Sequence, residues 1–127
     1  MISVFTFDSG YFPCVDFTGA VTEKGIGEGV NTNFNYPLPR DTQDDDYCTA
    51  LRKAIENIRR FDPAYLLLRF CTSIYGRDDT DRTFISLGVD TFADDPMSTF
   101  KISHSCYTII GQITADLGKP TLFVMEG

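Results

Sequence analysis

One histidine, His104, is all that the 127 residues contain. A lone imidazole makes neither a histidine pair for proton transfer nor a histidine-rich metal site, so a plain structural place for His104 is favoured. The four cysteines (Cys14, Cys48, Cys71 and Cys106) stand far apart, with no C-x-x-C and no paired spacing. They read as reduced, mostly buried thiols of a cytoplasmic or nuclear protein. No apolar run reaches the roughly 20 residues that span a bilayer. No basic segment opens the chain as a secretory signal would, and Asp8 comes early instead. No serine has the strand-to-helix context of a nucleophile elbow, and no cysteine has a recognisable base. Internal repeats, low-complexity tracts and linkers are missing too, which leaves one domain. Positive charge is scarce: 11 Lys and Arg against 18 Asp and Glu give a net charge of −7. That balance argues against a nucleic-acid backbone as partner and suits a cationic ligand, or simply solubility.

What is present describes a globular α/β chain. Hydrophobic residues make up 43% and charged residues 23%, the balance of a soluble core-forming protein. Residues 2–7 read as a strand that Gly10 and Pro13 then break. Glu23-Lys24-Gly25-Ile26-Gly27-Glu28-Gly29 has glycine at every second position, but its third glycine comes one residue early for a dinucleotide-binding loop, and no strand-to-helix context follows. Asn31, Asn33 and Asn35 then alternate with Thr32, Phe34 and Tyr36 up to Pro37-Leu38-Pro39, the period of a strand with one polar face. The alternative is a glycine loop leading into an edge strand.

The clearest element is a helix over 43–61, with Tyr47, Ala50, Leu51, Ala54, Ile55, Ile58 and Phe61 on one apolar stripe. Thr42 is expected as its N-cap, with Asp45 completing a short capping box. Asp44, Asp45 and Asp46 in the first turn and Arg59 and Arg60 in the last suit the helix dipole, so this acidic run needs no metal to explain it. Asp62-Pro63 ends the helix. Residues 65–68 read as a buried strand, followed by a charged loop around Gly76-Arg77-Asp78-Asp79. Ser103 is expected to cap a second helix that runs to about 117 with Tyr107, Ile110 and Leu117 inward, stopped by Gly118 and Pro120. Residues 120–126 form a last buried strand. Strand, helix, strand, helix, strand implies a parallel sheet with right-handed crossovers.

Ser86-Leu87-Gly88-Val89-Asp90 starts apolar, as a buried strand does, and ends in a carboxylate followed by Asp94-Asp95-Pro96. In open α/β sheets, ligands gather beyond the carboxyl ends of strands, where Asp90 would stand. Spacing by itself favours the plainer role of capping the next turn.

Taken together, four stretches resemble the zinc-dependent histone deacetylase and acetylpolyamine amidohydrolase family, of the arginase/deacetylase fold. They are the glycine segment running into Asn33-x-Asn35-x-Pro37-Leu38-Pro39; the helix ending Phe61-Asp62-Pro63; Ser86-Leu87-Gly88-Val89-Asp90-Thr91-Phe92 with Asp95-Pro96; and Lys119-Pro120-Thr121-Leu122-Phe123-Val124-Met125-Glu126-Gly127. The wording of the last two is nearer the acetylpolyamine amidohydrolase branch. The resemblance implies an α/β fold with a partial parallel sheet and flanking helices, the C-terminal portion of the family's domain, so that residues 1–127 form one incomplete domain. It implies that Asp90 is one of three zinc ligands, with an acetylated amine or acetyl-lysine as substrate. Asn31 stands where the family more often has glycine, and asparagine tolerates left-handed backbone.

The family's Asp-x-His ligand pair, its tandem histidines and its catalytic tyrosine have no counterpart in this chain. No catalytic residue is therefore assigned, the substrate-binding residues are unknown, and tight zinc binding by the chain by itself is not expected. Residues 69–85 interrupt what the family builds as a single strand, and are expected to be an insertion from a misjoined or unspliced reading frame. The leading expectation is an inactive fragment of a deacetylase. The other is a non-catalytic module that pairs with a full-length deacetylase. Neither nucleic acid nor a membrane is expected as partner.

Overall fold

The computed structural model describes residues 3–8, 20–64, 66–70, 83–86, 91–96 and 100–125. Five strands and two helices follow in chain order: β1 (Ser3–Asp8), β2 (Asn33–Leu38), α1 (Asp44–Phe61), β3 (Leu66–Phe70), β4 (Thr83–Ser86), α2 (His104–Ala115) and β5 (Thr121–Met125). The strands form one sheet in the order β2-β1-β4-β3-β5. Every pairing in it is parallel. In the chain α1 lies between β2 and β3 and α2 between β4 and β5, so each helix joins parallel strands of one sheet that are not neighbours in it, and the expected partial α/β architecture is present. Pro37, which has no N–H for a ladder, sits in β2 at the sheet's edge, where that lack is tolerated. Among the described residues, no helix is long and apolar enough to cross a membrane.

Residues 66–69 and 83–86 lie on neighbouring strands. Leu68 stands beside Ile85, and Arg69 beside Ser86. The two ends of the 69–85 stretch therefore belong to the sheet itself, as the end of β3 and the start of β4. Ser86 holds in β4 the rung that Arg69 holds in β3.

The apolar stripe of α1 is the core's main wall. Tyr47, Ala50, Leu51, Ala54, Ile55 and Ile58 are all buried, as their spacing predicts. Phe61 departs from the stripe and is 40% exposed, because it is the helix's last residue and overhangs the core. Leu66, Phe100, Ile102, Cys106 and Ile110 close the same cluster, with Tyr107 and Leu117 partly buried against it. Tyr47 meets Phe100 edge to face at 6.2 Å between ring centres. Asn57 donates to the Tyr36 hydroxyl at 2.6 Å, tying α1 to β2. Burial pushes the Tyr36 phenol upward, against the lowering effect of the Asn57 bond.

The helix ends refine the expected caps. The N-cap of α1 is Gln43, not Thr42. The Thr42 hydroxyl instead donates back to the Pro39 carbonyl at 2.6 Å, closing the turn that precedes the helix. Asp62 ends α1 in the left-handed region at φ 50°, accepting the strain that glycine usually avoids. Lys119 pairs with the Asp62 carboxylate at 2.5 Å. Ser103 does occupy the N-cap of α2, but its side chain makes no capping bond to that helix.

One flank of the sheet is poorly covered. Leu122 and Phe123 in β5 are 63% and 50% exposed. Adjacent residues of a strand face opposite sides, so β5 is open on both faces in this chain. A complete parallel sheet is normally covered on both.

Candidate functional site

Asp90, the residue that the sequence singles out, lies outside the described residues, as do residues 87–89. The turn that follows it is described and firmly held. Asp95 N–H donates to the Phe92 carbonyl at 3.0 Å, closing the turn before Pro96. Ala93 N–H donates to Ile102 at 3.0 Å, and Ile102 N–H donates to Thr91 at 3.3 Å, so Phe92 and Ile102 form a short parallel bridge. The Thr91 hydroxyl meets the Tyr107 hydroxyl of α2 at 2.8 Å. Asp94 is exposed and Asp95 half-buried. The first residues after Asp90 are thus fixed by α2 and the strand-like stretch leading into it.

His104 opens α2 and is exposed, with its ring edge to face against Phe92 at 4.8 Å. Its place is that of an aromatic packing partner to the turn. Among the described residues, no group of three or more His, Cys, Asp or Glu side chains is arranged to hold a metal ion. Asp90 would add one carboxylate, and a catalytic zinc needs three protein ligands. The described residues by themselves do not fit a zinc.

The glycine segment is a compact loop. Gly27–Gly29 makes a 3-10 turn. Asn31 N–H donates to Lys24 at 2.6 Å and Thr32 Oγ1 donates to Gly29 at 2.7 Å. Asn31 takes φ 65°, the left-handed conformation for which asparagine is suited. The asparagine face of β2 secures the loop's entry: Asn33 donates to the Glu23 carbonyl at 2.8 Å and Asn35 to the Ala20 carbonyl at 2.9 Å. These amides hold backbone in place and do not face solvent as a polar stripe. Ile26 at the tip is 90% exposed.

Gly25 is indispensable to this shape. It has φ 92°, and a Cβ there would lie 2.0 Å from the Gly29 carbonyl oxygen, a backbone atom that the loop's own bonds keep in place. Gly25→Ala is expected to destabilise the loop locally by roughly 2 kcal/mol or more. Limited proteolysis checks this: cleavage within 20–32 should accelerate while the global unfolding midpoint moves much less. Unchanged cleavage would mean the loop is not held as described.

An open cleft of about 500 Å³ lies between the end of β2 and the start of α1, lined by Tyr36, Leu38, Asp46, Thr49 and Lys53 among others. It takes no residue from the turn at 91–95.

Sequence reasoning missed the residues that brace the turn. Asp44 accepts from Ser103 N–H at 2.8 Å and from the Ser103 hydroxyl in a further short bond, joining the start of α1 to the start of α2. No local signal reveals a partner 59 residues away. Cys48 and Cys106 meet in the core with their Sγ atoms 3.4 Å apart. Their burial as free thiols is as expected; that the two meet is what spacing did not show.

Residues 1–83 match the family model described as "Histone deacetylase domain". Acetylpolyamine amidohydrolase 2 of Pseudomonas aeruginosa is 37% identical over 111 residues, which are 87% of this chain and 27% of that protein. Histone deacetylase 8 of Danio rerio is 28% identical over 103 residues, 80% of this chain and 22% of that protein. The crystal structure of an acetylpolyamine aminohydrolase from Burkholderia pseudomallei superposes with a TM-score of 0.75 at 23% identity, covering 99% of this chain and 39% of that one. That likeness establishes the fold. The chain spans about a quarter of the length of these curated relatives. With its family model, its relatives and its sheet in agreement, the chain belongs to the histone deacetylase family.

Proposed function

We propose that this chain is part of a zinc-dependent amidohydrolase acting on N-acetyl amides, with acetylpolyamines ahead of acetyl-lysine as substrates, and that it is inactive by itself. The 37% identity to an acetylpolyamine amidohydrolase is the observation that carries this reading. The net charge of −7 suits a cationic amine. In the whole enzyme, zinc would polarise the amide carbonyl and activate water. Asp90 would be one ligand. The part played by this chain's other residues is positional: Thr91, Phe92 and Ala93, held by Tyr107 and Ile102, fix the backbone that leaves Asp90. The intact enzyme would be cytoplasmic or nuclear.

Residues 69–85 are proposed to be an insertion in a single incomplete domain. Register supports this, since Ser86 already stands on the rung that follows Leu68. A transcript joining Leu68 directly to Ser86 would bear the proposal out, and abundant transcript retaining the stretch would refute it.

Zinc titration of the 127-residue chain by calorimetry, with hydrolysis of an N-acetylated diamine measured in parallel, tests the inactivity. Neither turnover nor binding at micromolar affinity or better is expected, because one carboxylate does not offset the cost of ordering a metal site. One-to-one binding at that affinity, lost in Asp90→Ala, would show a rebuilt site and overturn the reading.

A second function, a non-catalytic module that pairs with a full-length deacetylase, is favoured by one observation: β5 is open on both faces at Leu122 and Phe123. Co-purification with an intact deacetylase, abolished in Leu122→Asp, would favour the module over the inactive fragment.

A further inference from the structure

Four thiols in this chain carry no motif, yet two of them are brought together by the fold. Cys48 lies in the second turn of α1 and Cys106 in the first turn of α2. They are 4% and 0% exposed, and their sulfurs are 3.4 Å apart across the helix interface. Both are free thiols in this structure. From the buried pairing of these two sulfurs we propose that Cys48 and Cys106 are a latent disulfide site, a redox modification that clamps α1 to α2.

The surroundings favour this over loose contact. The Asp44–Ser103 bonds and the backbone bridge from Gln43 to Lys101 fix the two helix starts on either side of the pair. The sulfurs therefore need to close by little more than an ångström to reach the bonded length of about 2 Å. With hydrogen peroxide as oxidant, the Cys48 thiolate attacks one peroxide oxygen, breaking the O–O bond. This gives a sulfenic acid and hydroxide, which takes up a proton to become water. Cys106 sulfur then attacks the Cys48 sulfur, forms the S–S bond and expels the hydroxyl, which leaves as water with the Cys106 proton. Two thiols and one peroxide become one disulfide and two waters.

The same burial restrains the reaction. Desolvation first, and then the neighbouring Cys48, push the Cys106 thiol up to about 12. Cys48, at 4% exposed against 0%, is the sulfur that peroxide reaches first, and Cys106 resolves. The site stays reduced under ordinary poise and closes under sustained peroxide.

Cys14 and Cys71 complicate a direct test, so the Cys14→Ser/Cys71→Ser chain is compared with the unaltered one. After peroxide treatment, mass spectrometry should show a loss of two hydrogens and a linked Cys48–Cys106 peptide, reversed by dithiothreitol. The thermal midpoint should rise by roughly 5 °C or more, because a long loop is closed in the unfolded state. In denaturing urea the linked peptide should fall to the yield of a random pairing in the unaltered chain. Cys106→Ser should instead accumulate Cys48 sulfinic acid. Should both thiols survive exhaustive peroxide, or should Cys48 over-oxidise with Cys106 present, the proposal fails. Equal yields in folded and urea-denatured chain would overturn it as well.

Discussion

Tyr47→Ala is expected to lower the unfolding free energy by about 3–5 kcal/mol, the usual cost of removing a buried aromatic ring. Tyr47 is 1% exposed, packs edge to face on Phe100 and lies at the centre of the cluster that joins α1 to the segment entering α2. Its loss would leave a cavity whose walls are fixed by two helices and a strand, so little collapse can refill it. Domains of this size hold only about 5–15 kcal/mol in total. The variant should therefore unfold at much lower urea, and partly at 37 °C. Tyr47→Phe separates the ring from its hydroxyl, and should recover most of the loss. A cost below about 1 kcal/mol for the alanine variant would place the ring outside the core.

Asp44→Ala is expected to cost about 2–3 kcal/mol, more than a surface carboxylate in a first helical turn would. Its two bonds to Ser103 have a charged acceptor and reach between elements 59 residues apart. Removing the carboxylate leaves the Ser103 N–H at the start of α2 without that acceptor, and loosens the bridge from Lys101 N–H to the Thr42 carbonyl beside it. Asp44→Asn keeps one acceptor for the Ser103 N–H and should lose about half as much. Paired urea titrations of the two variants and of Ser103→Ala give the coupling. If Asp44→Ala and Ser103→Ala proved additive, the two residues would not be acting on each other.

These two positions also mark what the sequence did and did not reveal. Tyr47 belongs to a stripe at helical spacing, and periodicity finds such a face because burial acts on every turn of the helix. Asp44 looked like an ordinary dipole-friendly acid, since a run of three aspartates at a helix start has a sufficient local explanation. Only the fold shows that one of the three spans to α2. Thr42 was misjudged for a related reason: its hydroxyl could accept from a helix N–H as a cap or donate to the Pro39 carbonyl, and the Pro39 turn won. The left-handed backbone at Asn31 was legible because few residue types accept it. The strand before Asp90 was half legible. Apolar runs at 65–68 and 83–86 could be joined end to end or laid side by side, and composition does not distinguish the two. Asp90 itself stands outside the described residues, and the metal role proposed for it rests on the family resemblance.

The shared rung of Arg69 and Ser86 has a consequence for how such a chain can change in length. In a parallel sheet, an added segment after which the chain resumes on the rung where the segment began widens the sheet by one strand without shifting the register downstream. A frame that gains or loses 69–85 would thus move in steps of a whole strand, and the alternation of faces beyond the join would keep its phase. A splicing error at this point amounts to a change of width, where almost anywhere else in a buried strand it would scramble the inside and outside of the protein.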